Sequence, residues 1–175
     1  DLRLSRGLGD VYKRQEYGAT FDISNDSSTQ KIVVNFVDED NSIVGEEAFM
    51  NPANSKELTL GYYLSKDIGI YDLDVGFRHD QIERSGSVTE EEHGDDHDDH
   101  GDEHEDEHGE IDYYNIDDST NSFAVTLGRS LADNLGVSLG YASVERLPSS
   151  IELFMNGPHM ATGRFEVGDP NLNSE

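Results

Sequence analysis

Six segments of the chain alternate apolar and polar residues with a period of two, and this alternation is the tightest constraint on what the chain can fold into. The apolar members are Tyr17, Ala19, Phe21 and Ile23; Ile32, Val34 and Phe36; Leu58, Leu60, Tyr62 and Leu64; Tyr71, Leu73, Val75 and Phe77; Phe123, Val125, Leu127 and Leu131; and Val137, Leu139 and Tyr141. Successive side chains of a strand point to opposite faces, so each segment reads as a strand with one apolar side. Arg129 interrupts the apolar side of its strand, but near a turn its stem can lie along apolar surface while its head reaches a polar boundary.

The connections alternate strictly in length. Those at 25–30, 66–69 and 132–135 are short, the last marked by the Asp133-Asn134 turn signal, and those at 38–55, 83–120 and 147–175 are long. The fold class expected is therefore all-β: about six antiparallel strands, a fragment of a large transmembrane β-barrel with long extracellular loops and short turns opposite. One face is aliphatic and aromatic, suited to lipid, and the other carries Asp72, Asp74, Arg78 and small residues, suited to water. A soluble β-sandwich alternates in the same way. No run of eighteen apolar residues occurs, which excludes a transmembrane helix and leaves barrel strands open.

The longest connection contains Glu90–Asp112, a tract with fourteen Asp and Glu, five histidines and no Lys or Arg. It supplies more than half of the net charge of −26. Imidazole nitrogen with carboxylate oxygen is the donor set of borderline divalent ions such as zinc, nickel and copper, whereas carboxylates alone suit calcium or magnesium. His93, His97, His100, His104 and His108 therefore carry the metal signal. Like-charge repulsion and Gly94, Gly101 and Gly109 disfavour a helix, so the expectation is a solvated metal-attracting loop. The plainer reading is an acidic linker whose histidines are incidental.

The acidic balance argues against nucleic acid as a partner and favours cations. There are no cysteines, hence neither disulfides nor thiolate metal sites. Ser149 and Ser150 lack a partnered base in any recognisable motif, and no phosphate-binding glycine loop or thiol nucleophile occurs, so no enzyme is expected. Residues 1–15 hold four of the twelve basic residues and read as a non-native cloning or sequencing scar, set outside the fold argument. Residues 16–175 then form one partial barrel, with the His/acid-rich loop at 83–120 and an apical loop at 147–175.

Further along, Arg146, Pro148, Glu152-Leu153-Phe154 and Gly168-Asp169-Pro170-Asn171-Leu172 stand in order. This pattern resembles TonB-dependent outer-membrane receptors, in which a strand ends in an arginine and a proline, a short Glu-Leu-Phe element follows, and a Gly-Asn/Asp-Pro-Asn-Leu stretch leads into the next strand. Together with Gly157-Pro158-His159-Met160-Ala161-Thr162-Gly163, Gly45-Glu46-Glu47-Ala48-Phe49 and the His/acid loop, it is similar to the neisserial-type zinc-receptor branch of that family. The similarity runs from about Tyr17 to the end of the chain.

The resemblance implies a bacterial outer-membrane barrel of about twenty-two strands, with outer-membrane lipid around it, a plug domain inside it, and transport driven by the TonB complex through that plug. Neither the plug nor the closing strand is expected within this chain. The cargo implied is a divalent metal ion, zinc foremost, as a transported or captured ligand and not a catalytic cofactor. His159, in the family's Gly-Pro-His position, is the implied tight ligand over the plug, and Glu46 and Glu47 at the same end are candidate carboxylate donors. His79, read as the extracellular end of its strand, could bridge the capture loop and His159, though a structural role suits it better. Two other readings stand beside this one: a TonB-dependent receptor for a metal chelate such as a siderophore or haem, and a secreted or periplasmic β-protein that buffers metal.

Overall fold

The computed structural model describes residues 9–44, 48–89, 110–159 and 163–175. It is all-β apart from one short helix. The strands are β1 (Gly9–Asn25), β2 (Ser28–Val44), β3 (Ala53–Ile68), β4 (Tyr71–Thr89), β5 (Ile111–Ala132) and β6 (Leu135–Ser143), followed by α1 (Ser150–Phe154) and a hairpin of β7 (Asn156–His159) and β8 (Arg164–Val167). β1 to β6 form a single antiparallel sheet in sequence order, with β1 and β6 at its edges.

The register puts the predicted apolar residues in continuous rows across the sheet. Phe36 lies opposite Tyr17 and Leu58; Ile32 opposite Phe21 and Tyr62; Phe77 opposite Tyr62 and Phe123; and Leu127 opposite Leu73 and Leu139. A slip of one residue in any pair would send that strand's apolar set to the other side. The other face carries Thr59, Arg78, Asp80, Asp72 and Asp74, as the alternation predicts. Its polar groups satisfy one another across strands. Asp80, only 3% exposed, accepts from the Thr59 hydroxyl at 2.6 Å and from Arg78 Nε at 2.7 Å, and Arg78 also reaches Glu57 at 3.1 Å.

The strands run much further than the alternation suggests. β4 continues to Thr89 and β5 begins at Ile111, so residues 83–89 and 111–120 of the expected long loop are paired strand. Likewise β2 extends to Val44 and β3 starts at Ala53, shortening the connection expected at 38–55. In these extensions Gln81, Glu83, Ser85 and Ser87 stand where the apolar residues stood lower down, while on the opposite face Ile82 is buried and Val88, Tyr114 and Ile116 pack against a small core. The ladder of backbone hydrogen bonds persists there while burial changes to the other face, so the apolar alternation of the strand cores is not carried on.

At the other end the turns are tighter than expected. Asp26 and Ser27 alone separate β1 from β2, because Asn25 Oδ1 accepts from the Ser27 amide at 3.1 Å and the Ser28 hydroxyl at 3.0 Å. Asp133 and Asn134 form the β5–β6 turn where the sequence places it. β1 includes Gly9–Gln15, residues set outside the fold by the sequence reading; an edge ladder accepts any side chain, and here Tyr12 donates to Glu39 at 2.9 Å.

Segment 147–175, expected as a loop, holds α1 and the β7–β8 hairpin, and it folds back onto the polar face near the long-connection end. Leu153 and Phe154 meet Met50 and Ala53, with Ile43, Val88, Tyr114 and Ile116 around them. Phe154 is fully buried, 6.3 Å from the Tyr114 ring, and lies so close over Gly86 that a Cβ there would come within 2.5 Å of it. This contact requires glycine. The apolar face has no such cover: Leu139 is 81% exposed, and Tyr17, Phe21, Leu60, Phe77 and Leu127 are open as well.

Phe154→Ala should release α1, since truncating a buried Phe costs about 3–5 kcal/mol. Hydrogen exchange at the Leu153 and Met155 amides, bonded to Ser149 and Ile151 carbonyls, should then rise to the rate of open chain while exchange in β4 and β5 holds. Retained protection in α1 would show that another contact holds it.

Candidate functional site

α1 starts with a capping box. Ser149 Oγ accepts from the Glu152 amide at 3.3 Å, and the Glu152 carboxylate accepts from the Ser149 amide at 2.6 Å. The same carboxylate takes both Arg146 terminal nitrogens, at 2.9 and 3.0 Å, a paired geometry that suits guanidinium. Arg146 also holds the Glu175 carboxylate, and the backbones of these two residues exchange hydrogen bonds at 2.8 and 3.0 Å. Gly168 and Asp169 donate to the Met155 and Glu152 carbonyls. Arg146, Glu152-Leu153-Phe154 and Gly168-Asp169 are thus one contiguous unit, although up to about two dozen residues separate them in sequence.

The arginine, with help from Ser149, draws the Glu152 carboxyl down from its ordinary value to about 2. Arg146 in turn is raised, chiefly by its hydrogen bonds to Glu152 and Glu175.

Beyond α1 the chain crosses the end of the sheet. Met155 bridges to Met50; the Asn156 amide donates to the Phe49 carbonyl at 2.8 Å and its side chain to the Thr89 carbonyl at 2.6 Å. Asn51 meets the Ser87 and Thr89 hydroxyls at 3.2 and 3.1 Å. Gly157 passes so near Phe49 that a Cβ would lie 2.7 Å from its Cα, a backbone clash that no rotamer relieves. These bonds converge three connections on one spot: Phe49 follows the Glu46-Glu47 pair, Thr89 is the last residue before the His/acid tract, and Asn156 leads through Gly157 and Pro158 to His159.

Glu46, Glu47, His93, His97, His100, His104 and His108 lie outside the described residues. His159 is described in its backbone only, paired with Arg164 across the β7–β8 hairpin. The topology therefore brings the flanks of all three candidate segments together. Among the described residues no group of three or more His, Asp or Glu side chains is arranged to hold a metal ion.

His79 requires a correction. It is not at the end of its strand, because β4 continues to Thr89, and it faces the apolar side, where its Nδ1 lies 3.0 Å from Asn121 Oδ1. That position removes it from a bridge between the tract and His159. The side chains that organise the junction, Asn51 and Asn156, were not legible as such. The only hint is the Asn156-Gly157 pair, whose use here is a close backbone approach and not a hairpin turn.

No protein-family model matches the chain, and no solved structure matches it.

The carboxyl titration of Glu152 should fall near pH 2 in the native chain and move up toward the ordinary range in Arg146→Gln. A depressed folded-state value means its stabilising contribution is complete above the unfolded value of about 4.3 and fades as pH falls through about 2. In the variant, exchange protection of α1 should begin to fail nearer pH 4. An unchanged midpoint in Arg146→Gln would leave the capping box alone as the cause.

Proposed function

We propose that this chain is a six-strand portion of an outer-membrane β-barrel receptor of the TonB-dependent type, taking up a divalent metal ion, zinc foremost, with the His/acid tract collecting metal at the open end. One observation supports this above the others: an uncovered apolar face spans all six strands, while every long connection, the His/acid tract among them, leaves from the same end of the sheet. Water-facing monomers rarely expose apolar patches beyond a few hundred Å². Along β3 the apolar positions run from Leu58 to Ile68, roughly ten steps of ~3.3 Å. Tilted by about 40°, that run projects to about 25 Å, the height of the apolar band on outer-membrane barrels.

The sheet's two open edges fit a place inside a larger closed barrel, since closure is how such proteins dispose of edge strands. On this reading the plug and the TonB-contacting peptide lie elsewhere in the protein, and the polar face, with its Arg78–Asp80–Glu57 network, lines the lumen. Capture and transport are separate tasks. The tract's histidines and carboxylates hold metal loosely at several places, because fixing any one geometry costs conformational entropy. Firm zinc binding needs about four ligands in a tetrahedron, for which His159 with Glu46 or Glu47 is the candidate set. The junction of Phe49, Thr89 and Asn156 favours this pairing by holding the roots of those segments together.

Val75→Arg should impair membrane assembly of the full-length protein, since Val75 lies opposite Leu64 near the middle of the apolar band and arginine near the bilayer midplane on a lipid-facing strand position costs about 2–4 kcal/mol. Asp74→Asn should be tolerated, because Asp74 faces the other way and the amide oxygen can still accept from the Tyr63 hydroxyl, now at 2.9 Å. Equal damage from both, in a heat-modifiability assay of folded barrel, would refute the lipid-facing assignment.

Zinc titration by calorimetry at pH 7.5 and 5.5 checks the tract. Binding should weaken at least tenfold at the lower pH, because free imidazole protonates at about 6.5 and loses its donor pair, while any calcium binding should persist. Substituting His93, His97, His100, His104 and His108 with Asn should remove the pH-sensitive sites. Zinc affinity unchanged by that substitution would make the tract an acidic linker.

A further inference from the structure

The apolar face is not electrically uniform. From the row of Tyr62, Phe77 and Phe123 down to the short turns, the only Asp, Glu, Lys or Arg on this face of the described strands are Lys66 and Arg129. Both stand at the short-turn rim. Lys66 is opposite Leu73, and Arg129, one row lower, holds its guanidinium carbon 5.6 Å from the centre of the Tyr71 ring. The strand carboxylates at this end, Asp22, Asp67, Asp72 and Asp74, all project from the polar face, where Asp22 meets Lys31 at 3.4 Å. Neither Lys66 nor Arg129 forms an ion pair among the described residues, in a chain with 38 acidic and 12 basic side chains. Further up, beyond the apolar rows, the same side carries Asp38, Asp40, Glu83 and Asp117 against Lys13 and Lys56, a net negative rim.

We propose that Lys66 and Arg129, with Tyr71 on the strand between theirs, form a binding site for the phosphate-bearing headgroups of an anionic phospholipid leaflet at the short-turn end of the sheet. Long cationic stems lie along apolar surface and raise their heads to the interface, and tyrosine settles at the same depth. A phosphate supplies the charge that the protein withholds from these two cations on their own face. The acidic upper rim repels the same headgroups, so the arrangement also sets which way the sheet faces across the bilayer. This inference rests on the membrane reading above and adds to it a lipid class and a side.

Full-length protein in nanodiscs of phosphatidylcholine containing one part in three phosphatidylglycerol, analysed by native mass spectrometry, tests it. The retained annular lipid should be enriched in phosphatidylglycerol, each cation contributing roughly fivefold. Lys66→Gln and Arg129→Gln should each lower the enrichment about fivefold, and the double variant should abolish it. Lys56→Gln, at the other end of the strand, should leave it unchanged; an equal loss there would reduce the effect to overall charge and overturn the site. Enrichment absent from the native protein, indifferent to both rim variants, or erased by millimolar inorganic phosphate overturns the headgroup site while leaving the membrane reading intact. Failure to enter either lipid, or burial of this face between two copies in solution, overturns the membrane reading itself.

Discussion

Everything else in this molecule depends on the antiparallel ladder and its register. Backbone hydrogen bonds make the six strands continuous, but they are indifferent to side chains and would tolerate a slip. The alternation is what forbids one. With Tyr62, Phe77 and Phe123 in one row and Leu73, Leu127 and Leu139 in another, a one-residue shift anywhere would interleave aliphatic groups with Asp72, Asp74 and Asp80. The two faces are consequently committed to two different surroundings, and few apolar side chains are left to make an interior.

The interior that exists is built from elsewhere. Leu153 and Phe154, from a helix of five residues, seal against Met50 and Ala53 on the polar face. So short a helix has no stability of its own. It persists because its N-terminus is capped by Ser149 and Glu152, its flank is tied by Arg146, and its apolar pair enters a site floored by Gly86. Local capping and distant packing support each other here, and the connections that converge beside it inherit a fixed origin.

Much of the sheet was legible in the sequence because alternation reports one-sided burial directly. The strand cores from Tyr17 to Tyr141, their shared apolar face and the Asp133-Asn134 turn follow from it. From Gln81 to Thr89 and from Ile111 to Asn121 the face that was apolar turns polar and the few buried apolar residues, Ile82, Val88, Tyr114 and Ile116, stand on the other side under a distant segment, so the strands read as loop. His79 was misplaced for that reason. The apical unit failed differently: Ser149 and Glu152 do have capping-box spacing, but five helical residues are too few for a helical period to emerge. Of the candidate site, composition marks the His/acid tract as a metal candidate and the family resemblance singles out His159; both rest on the sequence alone. The meeting of Phe49, Thr89 and Asn156 rests on bonds between residues 40 and more positions apart, which no local pattern encodes.

The unpatterned strand extensions have an electrostatic consequence. Thr89 stands about eight residues beyond Gln81, the partner of the last apolar position Leu58, so a tilted strand carries the root of the acidic tract roughly 20 Å past that level. At physiological ionic strength the field of a charged surface decays over about 8 Å. On the membrane reading, the root of a tract with fourteen carboxylates is then more than two screening lengths from the edge of the apolar band, so the tract and the lipid headgroups compete only weakly for the same cations.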